Sequence, residues 1–81
     1  MNNKIWCLFS IQNEYDQPNN NLECWWQEKP SFEGLAVGLC LDVDIAKGDS
    51  RVGKVLKGEK VRIGYSDYRL QEVEEKEILD N

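Results

Sequence analysis

Three cysteines, Cys7, Cys24 and Cys40, and a scatter of carboxylates are the groups in this chain with types suited to chemistry, and histidine is absent. A cysteine nucleophile needs a neighbouring base, most often an imidazole, and none can be supplied here. The same absence removes the commonest transition-metal ligand. Three thiols cannot close a complete set of disulfides within one chain. They are therefore expected to be reduced and buried, since a bridge from Cys7 to Cys24 across two strands would be strained and would leave Cys40 over. Asp42, Asp44 and Asp49 lie close together in sequence. A hard-cation loop wants more oxygen ligands at tighter spacing, as in Asp-x-Asp-x-Asp-Gly with a distal Glu, so these aspartates suit helix caps and turns better. Gly48, Gly53, Gly58 and Gly64 form no phosphate-binding loop, because no Gly-Lys-Ser/Thr opens a helix after a strand. The expectation is a non-enzymatic chain with no catalytic residues, no metal site and no cofactor.

Charge narrows the partners. Acidic residues outnumber basic ones by 15 to 10, for a formal charge of −5. The stretch Lys47 to Arg62 nevertheless holds six basic residues, Lys47, Arg51, Lys54, Lys57, Lys60 and Arg62, against two acidic ones. Such a stripe along one helix and one strand edge could meet phosphates, and a nucleic-acid-associated factor is the alternative reading. The net negative charge places it second and also argues against an anionic membrane. No apolar run approaches the ~20 residues of a membrane span. The start, Met1-Asn-Asn-Lys4, lacks a signal peptide's pattern, so a cytoplasmic protein is expected.

The elements that would position a site can be read from hydrophobic period. With 81 residues the chain is expected to be one domain, 1–81, around one core. From Pro30 to Leu41, apolar residues fall at Phe32, Leu35, Ala36, Leu39 and Cys40, the stripe of an amphipathic helix with Ser31 as its cap. Before it, Lys4 to Gln12 alternates Ile5, Cys7, Phe9 and Ile11 against Trp6, Leu8 and Ser10. A strand apolar on both sides belongs in the middle of a sheet. Asn13 to Asn21 is rich in turn formers, and Leu22 to Lys29 resumes the alternation, which predicts a hairpin. Setting Cys7 opposite Cys24 pairs Phe9 with Leu22, Ile5 with Trp26 and Trp6 with Trp25. One face, Ile5, Cys7, Phe9, Leu22, Cys24 and Trp26, then seats the helix.

After Leu41 a short second helix is expected over Arg51 to Lys57, capped by Asp49 or Ser50 and closed by Gly58. Val61, Ile63 and Tyr65 alternate into a second hairpin, with a turn at Ser66-Asp67 that sets Tyr68 opposite Tyr65 and Leu70 opposite Ile63. The tail from Gln71 is read as strand to about Glu75 with a frayed end. Leu70, Val73, Glu77 and Ile78 would equally make a helical stripe. The fold expected is α+β: a four-stranded antiparallel sheet of two hairpins, in the order 2-1-3-4, with one main helix and a short second helix between them.

In that register Trp6, Leu8 and Trp25 share the face away from the main helix. An aromatic patch must be covered by the chain's own residues 43–56 or by a partner. As a binding surface it comprises Trp6, Leu8 and Trp25, extended by Tyr15 and rimmed by Glu23 and Gln27.

The succession of the Lys4–Ile11 strand, the loop Glu14-Tyr-Asp-Gln-Pro-Asn-Asn-Asn-Leu22, Lys29-Pro-Ser-Phe-Glu-Gly-Leu35 and Lys57-Gly-Glu-Lys-Val-Arg-Ile-Gly-Tyr-Ser-Asp-Tyr-Arg-Leu70 resembles the short acidic proteins of bacteriophages and prophages. The resemblance covers most of the chain. It implies a host-takeover or anti-defence factor that works by binding a host protein, and no catalytic residue. The function expected is thus a protein-binding module, its partner a host protein or a second copy of itself.

Overall fold

A strand apolar on both faces needs neighbours on both edges, and Lys4–Glu14 (β1) has them: Gln17–Trp26 (β2) on one side and Ser66–Glu74 (β4) on the other. The computed structural model describes residues 3–14 and 17–79. Its remaining elements are α1 (Phe32–Gly38), α2 (Val43–Ala46), α3 (Ser50–Leu56), the short strand β3 (Val61–Ile63) and α4 (Glu75–Leu79). The sheet is antiparallel, in the order β2-β1-β4-β3. Two hairpins with helices between them, and a central first strand, are as the sequence suggested.

The order 2-1-3-4 is corrected, because β4 rather than β3 lies against β1. Length is the physical reason. β1 has 11 residues and β4 has 9, and they pair from Lys4↔Glu74 to Ile11↔Asp67. Only a long partner satisfies the backbone groups of a long central strand. With 3 residues, β3 serves as an edge, pairing Val61↔Tyr68, Arg62↔Asp67 and Ile63↔Ser66. The turn also moves from Ser66-Asp67 to Gly64-Tyr65, so Tyr68 faces Val61 and Leu70 faces Leu8. A two-residue hairpin loop wants φ > 0 at its first position, and Gly64 supplies it at 69°.

α1 begins where its cap requires, with the Ser31 hydroxyl accepting from the Gly34 N–H at 3.1 Å. It stops sooner than its stripe implied. Cys40 turns left-handed, at φ 60°, while its N–H bonds the Val37 carbonyl and the Leu41 N–H bonds the Ala36 carbonyl, each at 2.9 Å. This is a Schellman end, and it carries Cys40 out of the buried stripe into solvent, contrary to the expected burial of all three thiols. Asp42 caps an additional helix, α2, and Asp49 caps α3, so three helices rather than two separate the hairpins. The tail is strand to Glu74 and then α4, not a frayed strand, and the Glu75 N–H donates to the Asn3 carbonyl at 2.8 Å.

The helices pack on one face of the sheet. Leu35, Ala36, Leu39, Ala46, Val52 and Val55 meet Leu8 and Leu70, with Trp6, Cys24, Trp26, Val61, Ile63 and Tyr68 packed against them. The helix seat is therefore the Trp6 and Leu8 face, not the expected Ile5, Cys7 and Phe9 face. Among the described residues no helix is long and apolar enough to cross a membrane.

Candidate functional site

One residue decides which side chains share a face. β1 and β2 pair Trp6↔Trp26, Cys7↔Trp25 and Leu8↔Cys24, then Phe9↔Leu22, which leaves Glu23 as an extra residue in a β-bulge. Side chains alternate with period two, so one inserted residue exchanges the faces of everything beyond it. Phe9 does face Leu22 as expected, and Cys24 and Trp26 lie on the helix side with Trp25 away from it, also as expected, but Cys24 and Trp26 share their face with Leu8 and Trp6, and Trp25 shares its face with Cys7. Cys7 and Cys24 point to opposite faces, and all three thiols are free.

The expected patch is consequently divided. Leu8 is 0 % exposed beneath the helices. Trp6 is half-buried on the same side, with the Lys29 Nζ 5.4 Å from its ring centroid. Residues 43–56 do supply cover there, through Ala46, Val52 and Val55. Glu23, exposed, stands unpaired at the bulge. Tyr15 lies outside the described residues. Trp25 alone of the tryptophans stands on the opposite face, 39 % exposed.

That opposite face, bare of α1, α2 and α3, is the candidate site. Ile5, Cys7, Phe9 and Ile11 run down its middle on β1. Trp25, Leu22 and Asn20 flank them on β2, and Val73, Gln71, Arg69 and Asp67 on β4. Ile5 and Cys7 are 2 % and 0 % exposed, and burial pushes the Cys7 thiol above its ordinary pKa, which suppresses its reactivity. Leu22, at 39 % exposure, stands beside Trp25 in solvent. Between them and β4 lies a cleft of about 170 Å³ lined by Phe9, Ile11, Asn20, Arg69, Gln71 and Val73. Phe9, Ile11, Val73 and Arg69 were missed as site residues. Their alternation along two strands was readable, but the face to which it belonged depended on the Glu23 bulge.

The electrostatics of the face are simple. Arg62 and Asp67, cross-strand partners, are joined by Nε to Oδ1 at 2.8 Å, and the guanidinium holds the Asp67 carboxyl below the ordinary range. Arg69 makes no ion pair among the described residues. Elsewhere in the basic stretch, Arg51 closes on Asp49 at 2.6 Å and Lys47 reaches Asp44 at 3.9 Å. Lys54, Lys57 and Lys60 are exposed and form no ion pair among the described residues. A second, wider cleft of about 450 Å³ at the sheet's end has Ile5 as its one apolar wall, with Asn3, Lys4, Gln27, Glu28 and Glu75 around it. Among the described residues no three of His, Cys, Asp and Glu converge as metal ligands. No protein-family model, curated protein or solved structure matches the chain.

Proposed function

We propose that this chain is a non-enzymatic protein-binding module whose contact surface is the sheet face opposite α1, α2 and α3. The observation that carries the reading is Trp25, exposed with Leu22 beside the Phe9 and Ile11 cleft on the face away from α1, α2 and α3. Tryptophan removes a large apolar area from water for the loss of two side-chain torsions, which is why it recurs at the energetic centre of interfaces. The polar groups around the cleft, Asn20, Gln71 and Arg69, suit the rim that excludes water from such a centre. By the resemblance to short phage proteins, the partner is a host protein.

The test pairs affinity with stability. Wild type and Trp25→Ala are used as bait in a bacterial lysate, the retained protein is identified by mass spectrometry, and both affinities are then measured by calorimetry. Trp25→Ala should weaken binding by about 2 kcal/mol, roughly thirtyfold, with an unchanged melting curve. Equal affinity for the two baits would reject the face. Phosphate contact through Lys54, Lys57 and Lys60 is the second reading, supported by their exposure and lack of ion pairs among the described residues. Commitment of Arg51 and Arg62 to carboxylates weakens it. A steep loss of affinity for mixed-sequence duplex DNA with rising salt would favour it.

A further inference from the structure

We infer that the segment received by the open face carries a carboxylate next to a bulky apolar side chain, the apolar group entering the cleft formed by Phe9, Ile11 and Val73 and the carboxylate meeting Arg69. This rests on the protein-binding reading of that face and specifies its ligand.

Charge is the first ground. Arg62 and Asp67 neutralise one another on the open face, and Arg69 is left without an ion pair among the described residues. Its register position opposite Phe9 sets it beside the central apolar column, and it forms part of the cleft wall. An unpaired guanidinium against apolar surface is a bidentate receptor for a carboxylate. A second copy docked by the same face would bring two like-charged faces together, because a two-fold interface pairs a patch with itself. Charge therefore selects an acidic partner over self-association, although the molecule as a whole carries −5.

Size is the second ground. At about 170 Å³ the cleft falls below the roughly 300–1,000 Å³ of small-molecule pockets, and it admits a side chain rather than a cofactor. The amides of Asn20 and Gln71 in its wall can donate to and accept from the backbone of an extended segment. Among the described residues Arg69 is the cation on this face without an ion pair, and it offers a single anionic contact, too little for a nucleic-acid backbone.

Selection of a random displayed peptide library on the immobilised full chain tests this, using wild type, Arg69→Glu, Arg69→Gln and Trp25→Ala, each first shown to melt as wild type does. Peptides enriched on wild type should place Asp or Glu beside a large apolar residue. They should bind Arg69→Gln at least about tenfold more weakly, as expected for loss of a charge-assisted pair. On Arg69→Glu the acidic preference should give way to Lys or Arg. Enrichment that Trp25→Ala destroys but neither Arg69 variant alters would overturn the carboxylate inference and leave the binding face standing. Absence of enrichment, or enrichment indifferent to Trp25 as well, would overturn both.

Discussion

Cys40 sits where glycine is usual. The α3 end repeats the Schellman pattern of α1, with Gly58 at φ 95° and the Glu59 N–H bonding the Lys54 carbonyl at 3.1 Å. A left-handed L-residue costs about 1–2 kcal/mol, partly offset in glycine by its freer unfolded chain. Cys40→Gly should accordingly raise stability by about 0.5–1 kcal/mol, seen as a higher denaturant midpoint at constant slope. In the native protein a thiol reagent should label Cys40 rapidly and Cys7 only on unfolding. At Asp49 the guanidinium of Arg51, through its side-chain hydrogen bonds, holds the carboxyl down to about 2. The unfolded carboxyl titrates near pH 4, roughly, so the unfolded chain binds the proton first. The contribution is thus complete above about pH 4 and is lost as pH falls towards 2; Asp49→Asn should flatten that limb of a plot of denaturant midpoint against pH. These capping roles were legible, since Ser31, Asp49 and Gly58 are where caps belong. Cys40 was not, because its spacing continues the apolar stripe while the backbone has already turned.

At the scale of elements, α1 lies against the indole of Trp26. A Cβ on Gly38 would stand 3.0 Å from Trp26 Cη2, 3.1 Å from its Cζ2 and 3.6 Å from Leu8 Cδ2. Alanine gains about 1 kcal/mol over glycine in a helix, but the rigid indole packed against the core must shift to admit the methyl. Gly38→Ala should lose about 1–3 kcal/mol net. Gly53 in α3 is the control, since a Cβ there meets nothing within 4 Å, and Gly53→Ala should gain up to about 1 kcal/mol in the same melts. Period-two alternation made both hairpins and the central strand readable in advance. The bulge was not, because Glu23 changes parity without changing composition. The strand order was hidden because two hairpins joined by helices allow either strand of the second to lie beside β1, and alternation through Tyr65 did not show that Gly64 ends β3 at Ile63.

The whole molecule is a slab, 39 × 34 × 17 Å along its principal axes, the thinnest of these fitting one sheet under one layer of helices. Two adjacent tryptophans thereby acquire different work. Trp26→Ala opens the contact with α1 and should cost about 3 kcal/mol or more, whereas Trp25→Ala, on the face away from the helices, should leave the melt as it is in wild type. Thermal melts of the two variants check the contrast, and equal losses would mean that the open face is itself core. For function the sequence yielded mainly expectations, drawn from the missing histidine and the net charge. A binding surface depends on which aromatic side chain stays outside, and that depends on register rather than on residue type.

The bulge has a bearing on solution behaviour as well. β2 is an edge strand, and a straight, uncharged edge is a template for a neighbouring chain. Glu23 is the one charged residue between Gln17 and Trp26, and it interrupts the ladder where it stands. Deleting it would leave Leu22 opposite Phe9 and Cys24 opposite Leu8, with each side chain on its present face and the edge made regular. The shortened chain should keep the parent's circular dichroism yet scatter light at concentrations where the parent stays clear. The residue that sorts the tryptophans would then also be the one that keeps copies of this protein from crystallising edge to edge in a crowded cell.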